Sequence, residues 1–379
     1  LSVAAFSVEQ VNARSLRAHG LAEPTGSIGG AIVAAAGIYG TAPTSHLGLA
    51  ARLDGYSTRT LERARLEERS IVRTPGPRGS VFLAPRELVP AFLGLSRPRT
   101  ARRVLLNEGM SEAQVDRLID LAEAAMAGTS LSSRELRERL GADDPGGTLM
   151  TLVLRTMVGE GRAVAAEPAG GERATAYRYA SMAEWIPDLG PRLSAEQALT
   201  IMAPLWMQAN GPGTVDDLAW WAGVTKRLAR AALAQMDARV IEVEGLEGDQ
   251  WATDEVVEGL ASAEPTGEVR LLPVWDAWLM ARRERSRILD DAYKPFVVDK
   301  SGNVTNTVTL DGRVVGVWDE DGETLLVAMH EGEPPAALEA AAARLRPIVG
   351  WSRIEWVEPR PLPADKQNAF RAPLRATTR

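Results

Sequence analysis

The chain has 379 residues, enough for several domains with cores of their own, and its 45% hydrophobic and 25% charged content is ordinary for a soluble globular protein. It has no cysteine, which excludes disulfides and thiolate metal sites, and its three histidines, His19, His46 and His330, stand too far apart to form a metal motif. The net charge of −7 excludes a generally basic surface, so any contact with nucleic acid has to come from a local cationic face.

The first apolar run, 28–39, is glycine- and alanine-rich and too short to span a bilayer, and no signal-peptide pattern precedes it. The expectation is a cytoplasmic protein with no membrane association, no metal and no cofactor. From there one pattern recurs three times: helices followed by two short strands. In the first copy helices are expected over 7–19, 28–36, 45–53 and 61–68. Strands over 70–74 and 79–83 then flank Pro75-Gly76-Pro77 as a wing-like hairpin.

The second copy has helices over 112–127, 132–140 and 148–159. The middle one is introduced by Ser132 and Glu135 at capping-box spacing. Strands over 162–166 and 174–179 flank Ala169-Gly170-Gly171. In the third copy a helix over 194–209 is broken by Gly211-Pro212-Gly213. Thr214 caps a helix containing Trp220 and Trp221, and Thr225 caps another reaching Met236. Strands over 240–243 and 250–253 form the wing. Three helices and a hairpin make the winged helix-turn-helix pattern; the alternative for any one copy is plain helical scaffold.

A mixed α/β segment follows over 267–356. It opens with an apolar strand, 269–274, and Trp275, Trp278 and Leu279 then recur at helical spacing before Arg282, Arg283, Arg285 and Arg287. Two strand-like runs, 303–310 and 313–318, meet at Asp311-Gly312, a strong hairpin signal because both central residues of a type I′ turn need positive φ. A strand over 324–329 and a helix over 335–345 come next. The tail from Pro359 sets Arg360, Lys366, Arg371, Arg375 and Arg379 against Asp365. The expected fold is α+β: three tandem winged helix-turn-helix units (1–103, 104–190, 191–262), a β-rich mixed domain (263–358) and a basic tail (359–379), curved around duplex DNA.

Leu272-Pro273, Asp276, Glu284-Arg285 and Asp311-Gly312 form a series that resembles the C-terminal block of the winged-helix DNA glycosylases typified by AlkZ and YcaQ. The resemblance runs from the first helix to about Trp356. It implies a protein that binds damaged double-stranded DNA as a monomer, in the cytoplasm at the nucleoid, and excises alkylated or crosslinked bases. In that family a Gln-x-Gln or Gln-x-Asp pair holds the attacking water, inside a run of the form Gly-Leu-Gln-x-Gln-x-Pro. The matching run is Gly37-Ile38-Tyr39-Gly40-Thr41-Ala42-Pro43, and Leu49 to Leu53 continues the match. The resemblance therefore places the catalytic positions at Tyr39 and Thr41, with His46 seven residues past Tyr39 as a further candidate. Two hydroxyls can hydrogen-bond a water but do not readily take its proton at neutral pH.

A second departure lies at Arg73 to Leu83, where Arg78 and Gly79 fit the family, Ser80 stands for a threonine and Phe82 stands in place of a histidine. Candidate phosphate contacts are Arg78, the cluster Arg97, Arg99, Arg102 and Arg103, the cluster Arg282, Arg283, Arg285 and Arg287, and Arg313. The plainer alternative for each is a solvated surface cation. Trp220 and Trp221 fit core positions better than base stacking, and Asp276 fits a helix cap. Beside the glycosylase stand two other readings: a DNA-binding or lesion-sequestering protein without the chemistry, and a winged-helix regulator.

Overall fold

The computed structural model describes residues 5–96, 99–169, 176–363, 369–371 and 373–374. Arg97, Gly170, Gly171, Asp365, Lys366, Arg375 and Arg379 lie outside the described residues. Two compact units result: one formed from Leu1–Tyr39, Thr44–Ser57 and Ala203–Arg379, the other from Gly40–Pro43 and Thr58–Met202. The first sequence repeat therefore contributes to both.

Helix starts follow local capping chemistry. Ser7 with Gln10 opens Val8–Ala18, Ser111 with Gln114 opens Glu112–Ala125, Ser132 with Glu135 opens Ser133–Leu140, and Thr214 with Asp217 opens Val215–Ala222. In each, two otherwise orphaned N–H groups are satisfied reciprocally. Gly161 and Gly223, at φ 77° and 71°, end their helices in the left-handed region.

In the first unit a five-stranded sheet runs in the order Arg353–Trp356, Thr324–Met329, Arg313–Asp321, Thr307–Leu310, Val269–Leu272. All its pairings are antiparallel except that of Thr324–Met329 with Arg353–Trp356, whose parallel geometry needs the crossover helix Leu338–Val349. The Asp311-Gly312 turn closes as expected: Leu310 pairs with Arg313, and the two turn residues take φ 46° and 79°. Only glycine fits position 312, because a Cβ there would lie 2.6 Å from the Trp278 ring. Trp278, Leu272, Leu279, Ile288, Val304 and Val317 form the core under this sheet, together with Leu16 and Leu21.

The second unit holds the hairpin Ile71–Pro75 with Val81–Pro85 and the helices Val89–Leu95, Arg99–Asn107, Glu112–Ala125, Ser133–Leu140 and Gly147–Glu160. Its second small sheet is ordered Leu131–Ser132, Tyr177–Ser181, Ala163–Pro168. Leu105, Val115, Ile119, Leu136, Met150, Val153 and Met157 fill the helical core.

Some expected elements are trimmed. The helix expected over 335–345 is Leu338–Val349, shifted toward the C-terminus and ended by Gly350 at φ 76°. The strand expected over 303–310 begins only at Thr307, because Val304 bridges to Val298 instead. The helix after Asp276 is one turn, Ala277–Met280.

Two histidines are held neutral. Burial, then the positive charge of Arg52, pushes the His19 imidazolium well below its ordinary range, against an opposing hydrogen bond to Asn210. Burial pushes His330 from 6.5 down to about 4. An unfolded histidine takes up its proton near 6.5, before the folded one does. The stability His330 gives is thus complete above 6.5 and is lost as pH falls toward 4. The unfolding temperature should therefore drop across that window, and His330→Leu should shallow the drop. An unchanged slope in that variant would show that His330 takes no part.

Candidate active site

The loop matching the family motif leaves the helix Ile28–Ala34 through two left-handed residues, Ala36 at φ 51° and Gly37 at φ 114°. Gly37 N–H donates to the Ile32 carbonyl at 2.8 Å, closing the helix and aiming Ile38 and Tyr39 away from it. Ile38 is buried, and Tyr39 is half-buried with its ring stacked on Trp275, centroids 5.3 Å apart and planes at 23°.

Trp275 itself is unusual. Its φ is +59°, a region costly for a bulky side chain. Hydrogen bonds on every side hold it there. Its N–H donates to Val304 O at 3.3 Å, its indole N–H to Asn303 Oδ1 at 3.0 Å, and the preceding Val274 N–H to Asn306 Oδ1 at 2.7 Å. The next residue, Asp276, forms a two-pronged ion pair with Arg52, at 2.7 and 2.9 Å, with both side chains essentially inaccessible to water. Asp276 Oδ1 also caps the following turn by accepting from Trp278 N–H at 2.9 Å, the capping role its position suggested. Gly48 lets the helix Thr44–Ala50 come close: a Cβ there would stand 3.4 Å from Ile38 and 3.6 Å from the Asp276 carboxylate. His46, on that helix, is buried and shares a 2.7 Å hydrogen bond between Nδ1 and the Tyr56 hydroxyl. Beyond the ring of Trp275 lie Phe370, at 5.3 Å, and the exposed Arg371, whose guanidinium is 4.5 Å from the ring centre.

In the other unit Gly40 is clamped. Its N–H donates to Val81 O at 2.9 Å and its carbonyl accepts from Arg73 Nε at 2.8 Å. A Cβ at 40 would come within 2.9 Å of the Phe82 backbone. Arg73 lies over the Tyr177 ring at 4.0 Å. Thr41, half-buried, follows this clamp, and the Ala42-Pro43 peptide is cis. The sequence placed Trp275 on a helix stripe and Arg73 at the head of the second motif, and pointed to no site role for Trp275, Arg52 or Arg73. The clue available for Arg52 was its place in the matched run Leu49 to Leu53.

The expected cationic surfaces need correction. Arg282, Arg285 and Arg287 are buried and serve the interior. Arg285 donates to Leu279 O at 3.0 Å, and Arg287 to Pro212 O at 3.2 Å and Ser15 Oγ at 3.0 Å. Arg282 makes long contacts to Asn210 at 3.4 and 3.5 Å. The reason is that residues 281–288 are not the end of a long helix: they wind through the core, and their guanidinium groups satisfy carbonyls that no helix or strand takes up. Arg283 alone of the four is exposed, 3.8 Å from Asp216. Arg313 is half-buried and reaches Arg287 O at 3.4 Å. Arg78 is half-buried in the turn between two strands at φ 60°.

Arg102 meets Glu112 and Asp116 at 2.8 Å each and Glu160 at 2.8 and 3.1 Å, whereas Arg103 is exposed. The two should therefore behave differently. Arg102→Ala should lower the stability of its unit by roughly 1–2 kcal/mol, as expected for an ion-pair network, whereas Arg103→Ala should leave stability alone. Chemical denaturation separates the outcomes.

Residues 36–348 match the family model described as DNA glycosylase AlkZ-like, and the chain belongs to that family. The interstrand DNA cross-link repair glycosylase of Streptomyces sahachiroi is 26% identical over 312 residues, covering 75% of this chain and 81% of that protein. The structure of the Streptomyces sahachiroi DNA glycosylase AlkZ matches with a TM-score of 0.77 at 22% identity, over 93% of this chain and 100% of that one. The α+β fold is thus the fold of AlkZ. No helix among the described residues is long and apolar enough to cross a membrane.

Proposed function

We propose that this protein binds damaged duplex DNA and acts as an N-glycosylase, a hydrolase, on alkylated purines. The observation that carries the reading is family membership combined with a kept Gly37 and Pro43 in the motif run and with Tyr39 stacked on Trp275, next to the Asp276–Arg52 pair. The helix–hairpin repeats over 1–103, 104–190 and 191–262 are read as winged helices, with 263–358 as the β-rich domain and 359–379 as a basic tail. Arg78, Arg103, Arg283 and Arg313 are the phosphate contacts proposed among the described cations. A monomer working in the cytoplasm, at the nucleoid, fits this reading.

Tyr39 and Thr41 are the positions that the resemblance assigns to the water-holding pair, and His46 shares a hydrogen bond with the Tyr56 hydroxyl. In the reaction the C1′–N9 bond breaks and its electron pair leaves with the base. Water oxygen adds to C1′, and the water's proton passes to solvent. Hydroxyls can orient that water but do little to deprotonate it. The proposed substrates are therefore N7- and N3-alkylpurines, whose positive charge is neutralised as the base departs. Incubation with alkylated duplex DNA, followed by scoring of abasic sites, tests this directly. Tight binding without abasic sites would establish the second reading, a lesion-sequestering protein, which the lack of any amide or carboxylate at 39 and 41 favours.

A further inference from the structure

We infer that Trp275 is a stacking platform for an extruded nucleobase and that Tyr39 is the side chain such a base displaces; the inference rests on the DNA reading above. The first observation is strain without burial. Trp206, Trp278 and Trp318 are fully buried, as expected for large core aromatics, and none of them has a left-handed backbone. Trp275 is left-handed at +59° yet only half-buried. Strain that persists away from the core, held by hydrogen bonds from Asn303, Val304 and Asn306 and by the neighbouring Arg52–Asp276 pair, serves to present the indole in one orientation.

The second observation is what covers it. Tyr39 lies nearly parallel to the indole at 5.3 Å, the geometry a base would adopt, and belongs to the motif loop rather than to a helix or long strand. Base–aromatic stacking is tolerant of base identity, since every base offers a π face, and is generally stronger than a single Tyr–Trp contact. The third observation is the cation. Arg371 is exposed with its guanidinium 4.5 Å from the same ring, where it enriches the stack and is placed to meet the phosphate of a nucleotide lying there. Phe370, buried beside it, anchors this segment.

If Tyr39 occupies the platform, removing it should tighten binding rather than weaken it. The test uses the full chain with a duplex carrying one 2-aminopurine opposite a mismatch, the matched undamaged duplex, and free 2-aminopurine ribonucleotide. Wild-type protein should quench the 2-aminopurine emission in the mismatched duplex. Tyr39→Ala should raise affinity for that duplex on the order of tenfold, the difference between losing a Tyr contact and gaining a base contact. Trp275→Asn, chosen because asparagine accepts positive φ, should abolish both the quenching and the preference over matched duplex.

Strong duplex binding that neither variant alters would overturn the platform and leave the DNA reading standing. Tighter binding of the free nucleotide to Tyr39→Ala, with no duplex binding by any variant, would uphold the platform and overturn the DNA reading. Weaker binding of both probes to Tyr39→Ala would show that Tyr39 is itself a ligand contact, and the inference would fall.

Discussion

Asp276→Ala should destabilise the unit that contains it by about 3–5 kcal/mol, the cost of stranding a buried charge. Arg52 is completely buried, and among the described residues its guanidinium bonds the Asp276 carboxylate and, at 2.9 Å, the Gly48 carbonyl alone. Removing the carboxylate also frees Trp278 N–H, which loses its cap. Asp276→Asn keeps the shape and one acceptor but not the charge, so it should fall between wild type and Ala. The pair Arg52→Met with Asp276→Leu should be much milder than either single change, because no unpaired charge remains. Urea unfolding midpoints at constant slope give the comparison. A loss below about 1 kcal/mol in Asp276→Ala would mean that water reaches Arg52, and the anchor beneath Trp275 would not be rigid.

That anchor also shows where the sequence was readable. The reciprocal cap of Ser132 with Glu135 was legible because it is a contact between residues three apart, and the DG turn because its two residues alone dictate the backbone. The motif frame was legible only through the resemblance to the family, although Gly37 at φ 114° takes a conformation that favours glycine. Arg52 and Asp276 are 224 residues apart, and neither announces the other. The arginines at 282–287 misled for a related reason. Four cations in six residues read as a phosphate-binding cluster or else a solvated face, yet three of them find main-chain carbonyls, two of these from distant segments, which no local pattern encodes. Trp275 read as the start of an apolar helix stripe, whereas its positive φ places it outside any helix.

Tyr39→Gln combined with Thr41→Gln should raise the rate of base excision on the order of 10²-fold, the scale of one pre-placed hydrogen-bonding group acting on a transition state. The backbone is ready for the change. Gly37 and Pro43 are kept, and Gly40 is pinned between Val81 and Arg73, so the two side chains should project as they do now. An amide both donates and accepts, so two of them can orient one water toward C1′ and disperse charge on the sugar, which two hydroxyls do less well. Losing the Tyr39 ring also uncovers Trp275, so faster chemistry should come with tighter, not weaker, lesion binding. Single-turnover excision of an N7-alkylguanine, with affinity measured in parallel, separates the two effects. Suppose the wild type excises efficiently and the double variant is no faster although it binds as well. Then the proton-handling group is elsewhere, and the hydroxyls at 39 and 41 do not hold the attacking water. Wild-type inactivity followed by a gain in the variant would instead show that the fold still delivers the base and that these two residues alone separate a lesion binder from a glycosylase.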